Sequence, residues 1–252
     1  MVESIREQLA LLEKERQIQI LLAVESGSRA WGFPSPDSDY DVRIIYRHDQ
    51  DWYLGIGAHK DTIDYFHGEL LDISGWELRK TLGLLSKSNA TPAEWCQSPI
   101  IYQEQPRFRE QLFSFVEHYF RPVHTINHYR GIAQNSFKAM ADEGLMKLKK
   151  LFYVLRPILA AKWILQHQSV PPMEIHPLLE MISDDSLKTH VVNLIKLKAT
   201  VGEDYQHQVE PKVKIFVEQA LERLKNADLP KRSTPEVEPL NRFFRQEIRR
   251  PL

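Results

Sequence analysis

The chain has 252 residues, of which 42% are hydrophobic and 27% charged, a composition typical of a globular protein with one large or two modest domains. A single cysteine excludes an intrachain disulfide framework and a cysteine-based zinc site, and predicts a reducing, cytoplasmic setting. No apolar run approaches the length of a membrane span, and the opening residues lack the apolar core of a signal peptide, so we expect no membrane partner.

The net charge of −1 is divided unevenly along the chain. Residues 1–118 carry 12 Lys and Arg against 19 Asp and Glu, whereas residues 119–252 carry 21 against 15. An acidic half is expected where carboxylates gather to hold metal ions, and a basic half where polyphosphate or a nucleic-acid backbone binds. Solvated helix surface is the alternative explanation of the basic excess.

In chain order, the first half of the sequence predicts helices and strands in alternation. Ile5, Leu9 and Leu12 recur at helical spacing, which predicts an amphipathic helix over residues 4–14. Apolar and β-branched runs predict the strands, and breaker residues delimit the later helices. The elements expected after the first helix are strands at 18–24, 40–46, 62–66 and 69–73, a short helical turn after Gly27-Ser28, a helix at 76–87 that stops and restarts at 89–92, and a helix at 105–119.

The second half of the sequence predicts a helical region. From Asn127 onward the pattern is helical, with interruptions at Pro171-Pro172, Pro177 and Pro230. The last segment, residues 231–252, is polar and is expected to be an arm with one short helix. We therefore place a domain boundary between residues 118 and 119.

One motif points to chemistry. Gly27-Ser28 directly follows the apolar run at 18–24, and Asp39 and Asp41 come shortly after it. A Gly-Ser pair at the end of a strand leaves backbone N–H groups and a small hydroxyl where a phosphate chain can approach. Two carboxylates at i and i+2 on a strand point to the same face, and their oxygens are the ligands that Mg²⁺ prefers. The motif predicts a metal-dependent site for nucleotidyl transfer.

The same stretch carries a family resemblance. Residues 27–43 read Gly-Ser-Arg-Ala-Trp-Gly-Phe-Pro-Ser-Pro-Asp-Ser-Asp-Tyr-Asp-Val-Arg. This string resembles the signature of the DNA polymerase beta superfamily of nucleotidyltransferases, and more narrowly that of the predicted nucleotidyltransferases associated with RNA repair. Further blocks at 75–80, 87–95 and 149–157 resemble downstream parts of that family, so the resemblance covers most of residues 18–165.

The resemblance implies an α+β fold. The nucleotidyltransferase domain, at residues 1–118, would have a polymerase-beta-like palm built on a mixed sheet with helices on one side. A helical domain at 119–252 would follow, with the active site in the cleft between the two domains.

Two metal ions, Mg²⁺ or Mn²⁺, usually need a third carboxylate. The resemblance places it at Asp72, between two apolar residues of the predicted strand at 69–73. Asp64 is the rival by the same strand alternation, with Glu69 and Glu77 behind it. Asp72 would also accept the proton of the attacking hydroxyl as a general base.

The nucleotide is expected to contact residues of both halves. Gly27 and Ser28 would bind the phosphates, and Arg43 would either join them or pair with the acidic group. Lys149, Tyr153 and Arg156 fall at i, i+4 and i+7, on one face of a helix. By resemblance to two-domain nucleotidyltransferases, this face closes over the nucleotide, with the two cations reaching phosphate oxygens and the tyrosine offering a stacking surface. Solvated helix surface is the alternative for Lys149.

The predicted activity is transfer of a nucleoside monophosphate from a nucleoside triphosphate to a hydroxyl acceptor, with release of pyrophosphate. RNA, such as a tRNA end, is the expected acceptor because of the basic second half and the family association with RNA repair. Protein adenylylation would use the same core. The rival from another class is a catalytically silent nucleotide-binding or toxin-neutralising module, which is expected to lose at least one of the three acids.

Overall fold

The structure is a computed structural model that describes residues 1–57, 59–67, 70–138, 144–229 and 232–251. The strands are β1 Gln19–Glu25, β2 Tyr40–Arg47, β3 Thr62–His67, β4 Leu71–Glu77, β5 Ile101–Glu104, β6 Leu145–Lys147 and β7 Gln206–Gln208. The α-helices are α1 Val2–Arg16, α2 Gly27–Trp31, α3 Gln50–Leu54, α4 Leu78–Leu85, α5 Ala90–Gln97, α6 Phe108–Tyr119, α7 Pro122–Lys138, α8 Leu148–His167, α9 Ile175–Leu178, α10 Asp185–Lys198, α11 Pro211–Lys225 and α12 Glu238–Ile248, and a 3₁₀ turn spans Leu179–Met181. In the described part of the chain, no helix has the length and apolar character needed to cross a bilayer.

The chain forms two compact units. Unit 1 comprises Met1–Gly27, Asp39–Tyr119 and Ser233–Leu252, and unit 2 comprises Ser28–Ser38 and Phe120–Arg232. The junction after Tyr119 lies one residue from the boundary expected at 118. Two segments differ from the division expected from sequence, because 28–38 packs within unit 2 and 233–252 packs within unit 1.

Unit 1 is built on a five-stranded mixed sheet with the order β3-β4-β2-β1-β5. Strands β2 and β4 are parallel, and the other pairings are antiparallel. The parallel register sets Asp41 opposite Asp72. The predicted α+β architecture with a mixed sheet is confirmed.

Helices cover both faces of this sheet. On one face, Ile5 and Leu9 of α1 pack into a buried cluster with Ile44 of β2. On the other face, Trp76 of β4 packs against Trp95 of α5 with ring centroids 4.6 Å apart. The expectation of helices on one side is therefore wrong, and the reason is that the central strands are apolar on both faces and need cover on each.

Strand β4 ends later than the sequence predicts. Residue 76 was expected to begin a helix, but Trp76 pairs with Ile45 of β2 and the strand runs on to Glu77. Gly75 makes this pairing possible, because a Cβ there would lie 2.2 Å from Cγ1 of Ile44. The Glu77 side chain then accepts a hydrogen bond from the Lys80 N–H and caps α4.

Three strands lie where the sequence predicts helix or no element. Strand β5 occupies Ile101–Glu104, so α6 begins at Phe108 rather than at residue 105. The short strands β6 and β7 pair antiparallel inside the second half, which the pattern predicts as helical. The strand expected at 69–73 is found at Leu71–Glu77, and residues 68 and 69 lie outside the described residues.

Unit 2 is mainly helical, as predicted. Helix α7 packs along α8, and α11 packs against both. Helix α8 carries twelve buried residues and continues through Pro157. The segment 28–38 joins this core through Phe33, whose ring stacks on Phe152 at 4.7 Å.

The C-terminal segment completes unit 1. Phe243 of α12 packs on Phe108 of α6 with ring centroids 5.9 Å apart. The fully buried Arg47 donates from Nη2 to the Pro251 carbonyl at 2.8 Å. The Tyr119 hydroxyl donates to the Glu236 carbonyl. These contacts fasten the last residues of the chain to its first domain.

Candidate active site

In unit 1, Gly27 and Asp41 are in direct contact where β1 ends and β2 begins. Gly27 has a φ of +60°, which L side chains rarely adopt, and a Cβ there would stand 2.0 Å from Oδ2 of Asp41. The Ser26 N–H donates to the Asp41 carbonyl at 2.8 Å and ties the two strand ends together. The glycine is therefore needed because the Asp41 carboxylate fills the space beside it.

Arg43 joins Asp41 to Asp72. Its Nη2 lies 2.9 Å from Asp41 Oδ1 and 2.9 Å from Asp72 Oδ2, and Nη1 lies 3.3 Å from the Asp72 carbonyl oxygen. The parallel register of β2 and β4 places the two aspartates side by side, and Arg43, two residues after Asp41, shares their face. One guanidinium thus forms ion pairs with two of the three carboxylates that the sequence predicts as metal ligands.

The first acid of the motif, Asp39, lies outside the strand. Asp39 is exposed and precedes β2, which begins at Tyr40. The prediction that Asp39 and Asp41 share one strand is therefore wrong, although β2 begins at the residue expected for the strand at 40–46. The role of Asp39 as a ligand stays a prediction.

The chemistry of the pair fits a divalent cation. Asp41 and Asp72 supply hard oxygen ligands, and Oδ1 of Asp72 is buried with no hydrogen-bond partner. A buried acceptor of this kind calls for an ion or a water molecule. Among the described residues no three His, Cys, Asp or Glu side chains group around a common point for a metal, so substrate oxygens would have to complete the ligand set.

Asp64, the rival for the third position, lies apart from this group. It sits on β3 opposite Ser74 and forms an exposed ion pair with Lys60 at 3.3 Å. Asp72 is the residue that the structure brings to Asp41.

The buried acid Glu25 accepts a hydrogen bond from the backbone of Asp41. Glu25, the last residue of β1, is 0% exposed, and its Oε1 accepts a hydrogen bond from the Asp41 N–H at 2.9 Å. The Tyr102 hydroxyl donates to Oε2 of Glu25. Sequence reasoning missed Glu25, because an acid at the end of an apolar run is usually interpreted as the start of a loop.

In unit 2, Ser28 belongs to a chain of polar contacts. The Ser28 hydroxyl donates to Ser38 Oγ at 3.1 Å, and the Ser38 hydroxyl donates to Oε1 of Glu203 at 3.0 Å. Lys149, the first predicted cation of α8, forms an ion pair with Oε2 of the same Glu203. Lys149 therefore contacts this carboxylate directly, and Ser28 is linked to it through Ser38.

A buried lysine lies next to this chain of contacts. Lys198 is 1% exposed and donates to Ser35 Oγ at 2.8 Å. Burial lowers the pKa of Lys198 below its usual range, and the nearby charges of Glu203 and Asp37 oppose that shift. Neither Lys198 nor Glu203 was predicted, because their serine partners lie more than 150 residues away in the sequence and no periodic pattern connects them.

Tyr153 and Arg156 pack on Trp31. The Tyr153 ring meets the indole edge to face at 5.3 Å, and the Arg156 guanidinium lies 4.5 Å from the indole centroid. Arg156 is 3% exposed and also donates from Nε to the Met173 carbonyl at 3.0 Å. The helix face predicted from spacing exists, and the nucleotide roles of both residues stay predictions.

The mixed sheet, the Gly-Ser turn and the adjacent aspartates on parallel strands define a protein of the nucleotidyltransferase-like class. Residues 1–246 match the RNA repair pathway DNA polymerase beta family, RlaP, and the chain belongs to this family.

Two further proteins are similar to the chain. The "Uncharacterized protein YcgL" of Bacillus subtilis (strain 168) is 42% identical over 231 residues, which are 90% of this chain and 88% of the relative. The crystal structure of a nucleotidyltransferase-like protein from Exiguobacterium sibiricum 255-15 matches 88% of this chain and 73% of that chain with a TM-score of 0.33 and 12% identity.

Proposed function

We propose that this protein transfers a nucleoside monophosphate from a nucleoside triphosphate to a hydroxyl on RNA, such as a tRNA end, and releases pyrophosphate. The observation that carries the proposal is the pairing of Asp41 with Asp72 on adjacent parallel strands, beside a glycine that leaves room for a carboxylate. Membership of an RNA-repair-associated polymerase-beta family supports the reaction class and the acceptor class.

In the proposed reaction, the acceptor oxygen attacks the α-phosphorus while the bond from that phosphorus to the bridging oxygen breaks. Asp39 and Asp41, with Asp72 as the third acid, would hold two divalent cations, and Asp72 would take the proton of the acceptor hydroxyl. Bound Mg²⁺ or Mn²⁺ supplies charge neutralisation at the phosphates. The protein's other contribution is to hold the acceptor hydroxyl in line with the α-phosphorus, and such positioning accounts for much of the rate acceleration in enzymatic phosphoryl transfer.

The phosphate and base contacts are assigned to Gly27, Ser28, Arg43, Lys149, Tyr153 and Arg156. Lys149 and Ser28 are the best supported, because both are held in one polar network by short contacts. Arg43 is proposed to transfer its contact from the two aspartates to a phosphate when the nucleotide binds.

The test is incubation of the protein with each α-labelled nucleoside triphosphate, Mg²⁺ or Mn²⁺, and either total cellular RNA or total cellular protein. We expect label on RNA from one preferred nucleotide. Label on protein instead would identify an adenylyltransferase of proteins, and no label on either would favour a silent nucleotide-binding module.

A pair of double variants makes this test specific. Asp39→Asn with Asp41→Asn should abolish labelling, because amides cannot replace the charge that anchors the cations. Asp51→Asn with Asp64→Asn removes the same charge at exposed positions of unit 1 and should label like the parent. Equal labelling by both double variants would refute the mechanism.

A further inference from the structure

Glu203 lies at the centre of the polar network of unit 2. Its side chain is 21% exposed and sits in the turn between α10 and β7. One carboxylate oxygen accepts from the Ser38 hydroxyl at 3.0 Å, and the other pairs with the Lys149 ammonium. Both oxygens are therefore engaged by donors from segments far away in the sequence.

The donors around this carboxylate are those of a phosphate site. Ser38 in turn accepts from the Ser28 hydroxyl at 3.1 Å and from the Ser35 N–H at 2.9 Å. The two donors to the Glu203 carboxylate, a hydroxyl and an ammonium group, bind phosphate oxygens as readily as carboxylate oxygens. The acceptor bound by these donors is an acid of the chain itself.

The turn that carries Glu203 is anchored separately from its carboxylate. The Glu203 N–H donates to both oxygens of Asp37, at 3.0 and 3.1 Å. The backbone can thus stay in place while the side chain rotates away from Ser38 and Lys149. Rotation of a part-exposed side chain costs far less than a backbone rearrangement.

We propose that the Glu203 carboxylate is an internal substitute for a phosphate group of the substrate, and that a polyphosphate ligand displaces it from Ser38 and Lys149. The proposal rests on the proposed function for the identity of the ligand as a triphosphate. Glu203 would then compete with the ligand for Ser38 and Lys149. A ligand would need enough negative charge to replace the ion pair between Glu203 and Lys149.

A purely positioning role for Glu203 predicts the opposite effect of substitution. If the carboxylate serves only to hold Ser38 and Lys149 in place, its removal disorders them and weakens anion binding. If it competes with the ligand, its removal strengthens anion binding. The sign of one affinity change therefore separates the two roles.

The experiment measures binding of inorganic tripolyphosphate to the full chain by calorimetry, without divalent cations and at constant ionic strength. We expect Glu203→Gln to bind about 10-fold more tightly than the parent, since removing a part-buried competing ion pair is worth on the order of one tenfold step in affinity. Asp204→Asn is the matched control, because it removes the same charge from the next residue, whose ion pair among the described residues is with the exposed Lys147. Its affinity should change less than about 2-fold.

A second variant guards against loss of folding. Glu203→Asp keeps the charge and shortens the side chain, so the competing carboxylate withdraws from Ser38 and binding should again tighten. Weaker binding by either Glu203 variant, or equal gains in Glu203→Gln and Asp204→Asn, would overturn the proposal, as would an absence of tripolyphosphate binding in all of them.

The outcome is separable from the test of the activity. Tighter tripolyphosphate binding by Glu203→Gln without nucleotide transfer to RNA or protein by the parent would refute the proposed function and leave the phosphate site standing. Nucleotide transfer by the parent with unchanged tripolyphosphate affinity in Glu203→Gln would refute only the role of Glu203.

Discussion

Each unit contains one group of predicted ligand-binding side chains, and in each group a residue of opposite charge contacts two segments of the chain. In unit 1, the guanidinium of Arg43 lies between the carboxylates of Asp41 and Asp72. In unit 2, the carboxylate of Glu203 lies between a serine hydroxyl and the ammonium of Lys149. The acidic group is bridged by a cation, and the basic group by an anion.

The two groups differ in how the backbone fixes them. The acidic group stands on paired strands of a sheet that is covered on both faces, so its spacing follows from strand register. The basic group is assembled from the loop at 28–38, the start of α8 and the turn at Glu203. We therefore expect substitutions in the first group to change catalysis and stability, and substitutions in the second to change ligand affinity.

The largest expected effect tests the acidic group itself. Asp72→Asn should lower the rate of nucleotide transfer by about 1000-fold, because charge stabilisation by a bound metal is worth several kcal/mol in the transition state. Single-turnover transfer of an α-labelled nucleotide measures it. Asp64→Asn is the control on the neighbouring strand and should retain nearly full activity. A large loss in Asp64→Asn with little loss in Asp72→Asn would reverse the assignment of the third acid.

A smaller effect tests the bridging cation. Arg43→Gln leaves two half-buried carboxylates facing each other and should lower the free energy of unfolding by about 2 kcal/mol, a value reduced for partial exposure. Millimolar Mn²⁺ should restore much of this loss, because a divalent cation takes the place of the guanidinium. Thermal unfolding with and without Mn²⁺ measures both effects, independently of activity.

The control for this measurement is Lys60→Gln. It removes a cation that pairs with Asp64 at the exposed edge of the same sheet, and the cost should stay below about 0.5 kcal/mol. Equal stabilisation of both variants by Mn²⁺ would show that the cation does not bind between Asp41 and Asp72.

The smallest expected effect concerns the pH dependence of the stability of unit 1, which His48 influences independently of Asp41 and Asp72. Burial lowers the pKa of His48 to about 4, against an opposing effect of Asp49 and a supporting effect of His59. A histidine with a lowered pKa in the folded state stabilises the fold above its unfolded pKa of about 6.5, and this contribution is lost as the pH falls toward 4.

His48→Phe should remove part of this pH dependence. The substitution keeps a ring stacked on Trp52, which lies 4.0 Å from His48 in nearly parallel orientation. When the pH is lowered from about 7.5 to about 5, the free energy of unfolding of the parent should fall by about 1 kcal/mol more than that of the variant. The value is reduced because His48 is only half-buried, and urea unfolding at the two pH values measures it. If the free energy of unfolding changes equally with pH in the two proteins, His48 does not contribute to the pH dependence of stability.

The sequence predicts the parts of the fold that depend on local pattern. The apolar run that becomes β1 and the β-branched run that becomes β2 have the composition of strands, and the helix spacing of Ile5, Leu9 and Leu12 identifies the core face of α1. Asp72 was found only through family resemblance, since strand alternation alone left Asp64 equally placed.

The parts that were missed depend on tertiary contacts. Trp76 reads as the start of a helix, and only its pairing with Ile45 and its packing on Trp95 keep it in the strand. Glu25 and Glu203 are acids whose burial is set by partners from other segments, including a serine 165 positions away in the case of Glu203. Single-sequence patterns carry no signal for such pairings.

The attachment of residues 233–252 to unit 1 has a consequence for synthesis in the cell. Phe108 and Arg47 receive their partners Phe243 and Pro251 only from the end of the chain. Because translation proceeds from the N-terminus, these contacts can form only after residues 120–232 of unit 2 and the segment 233–252 have been synthesised.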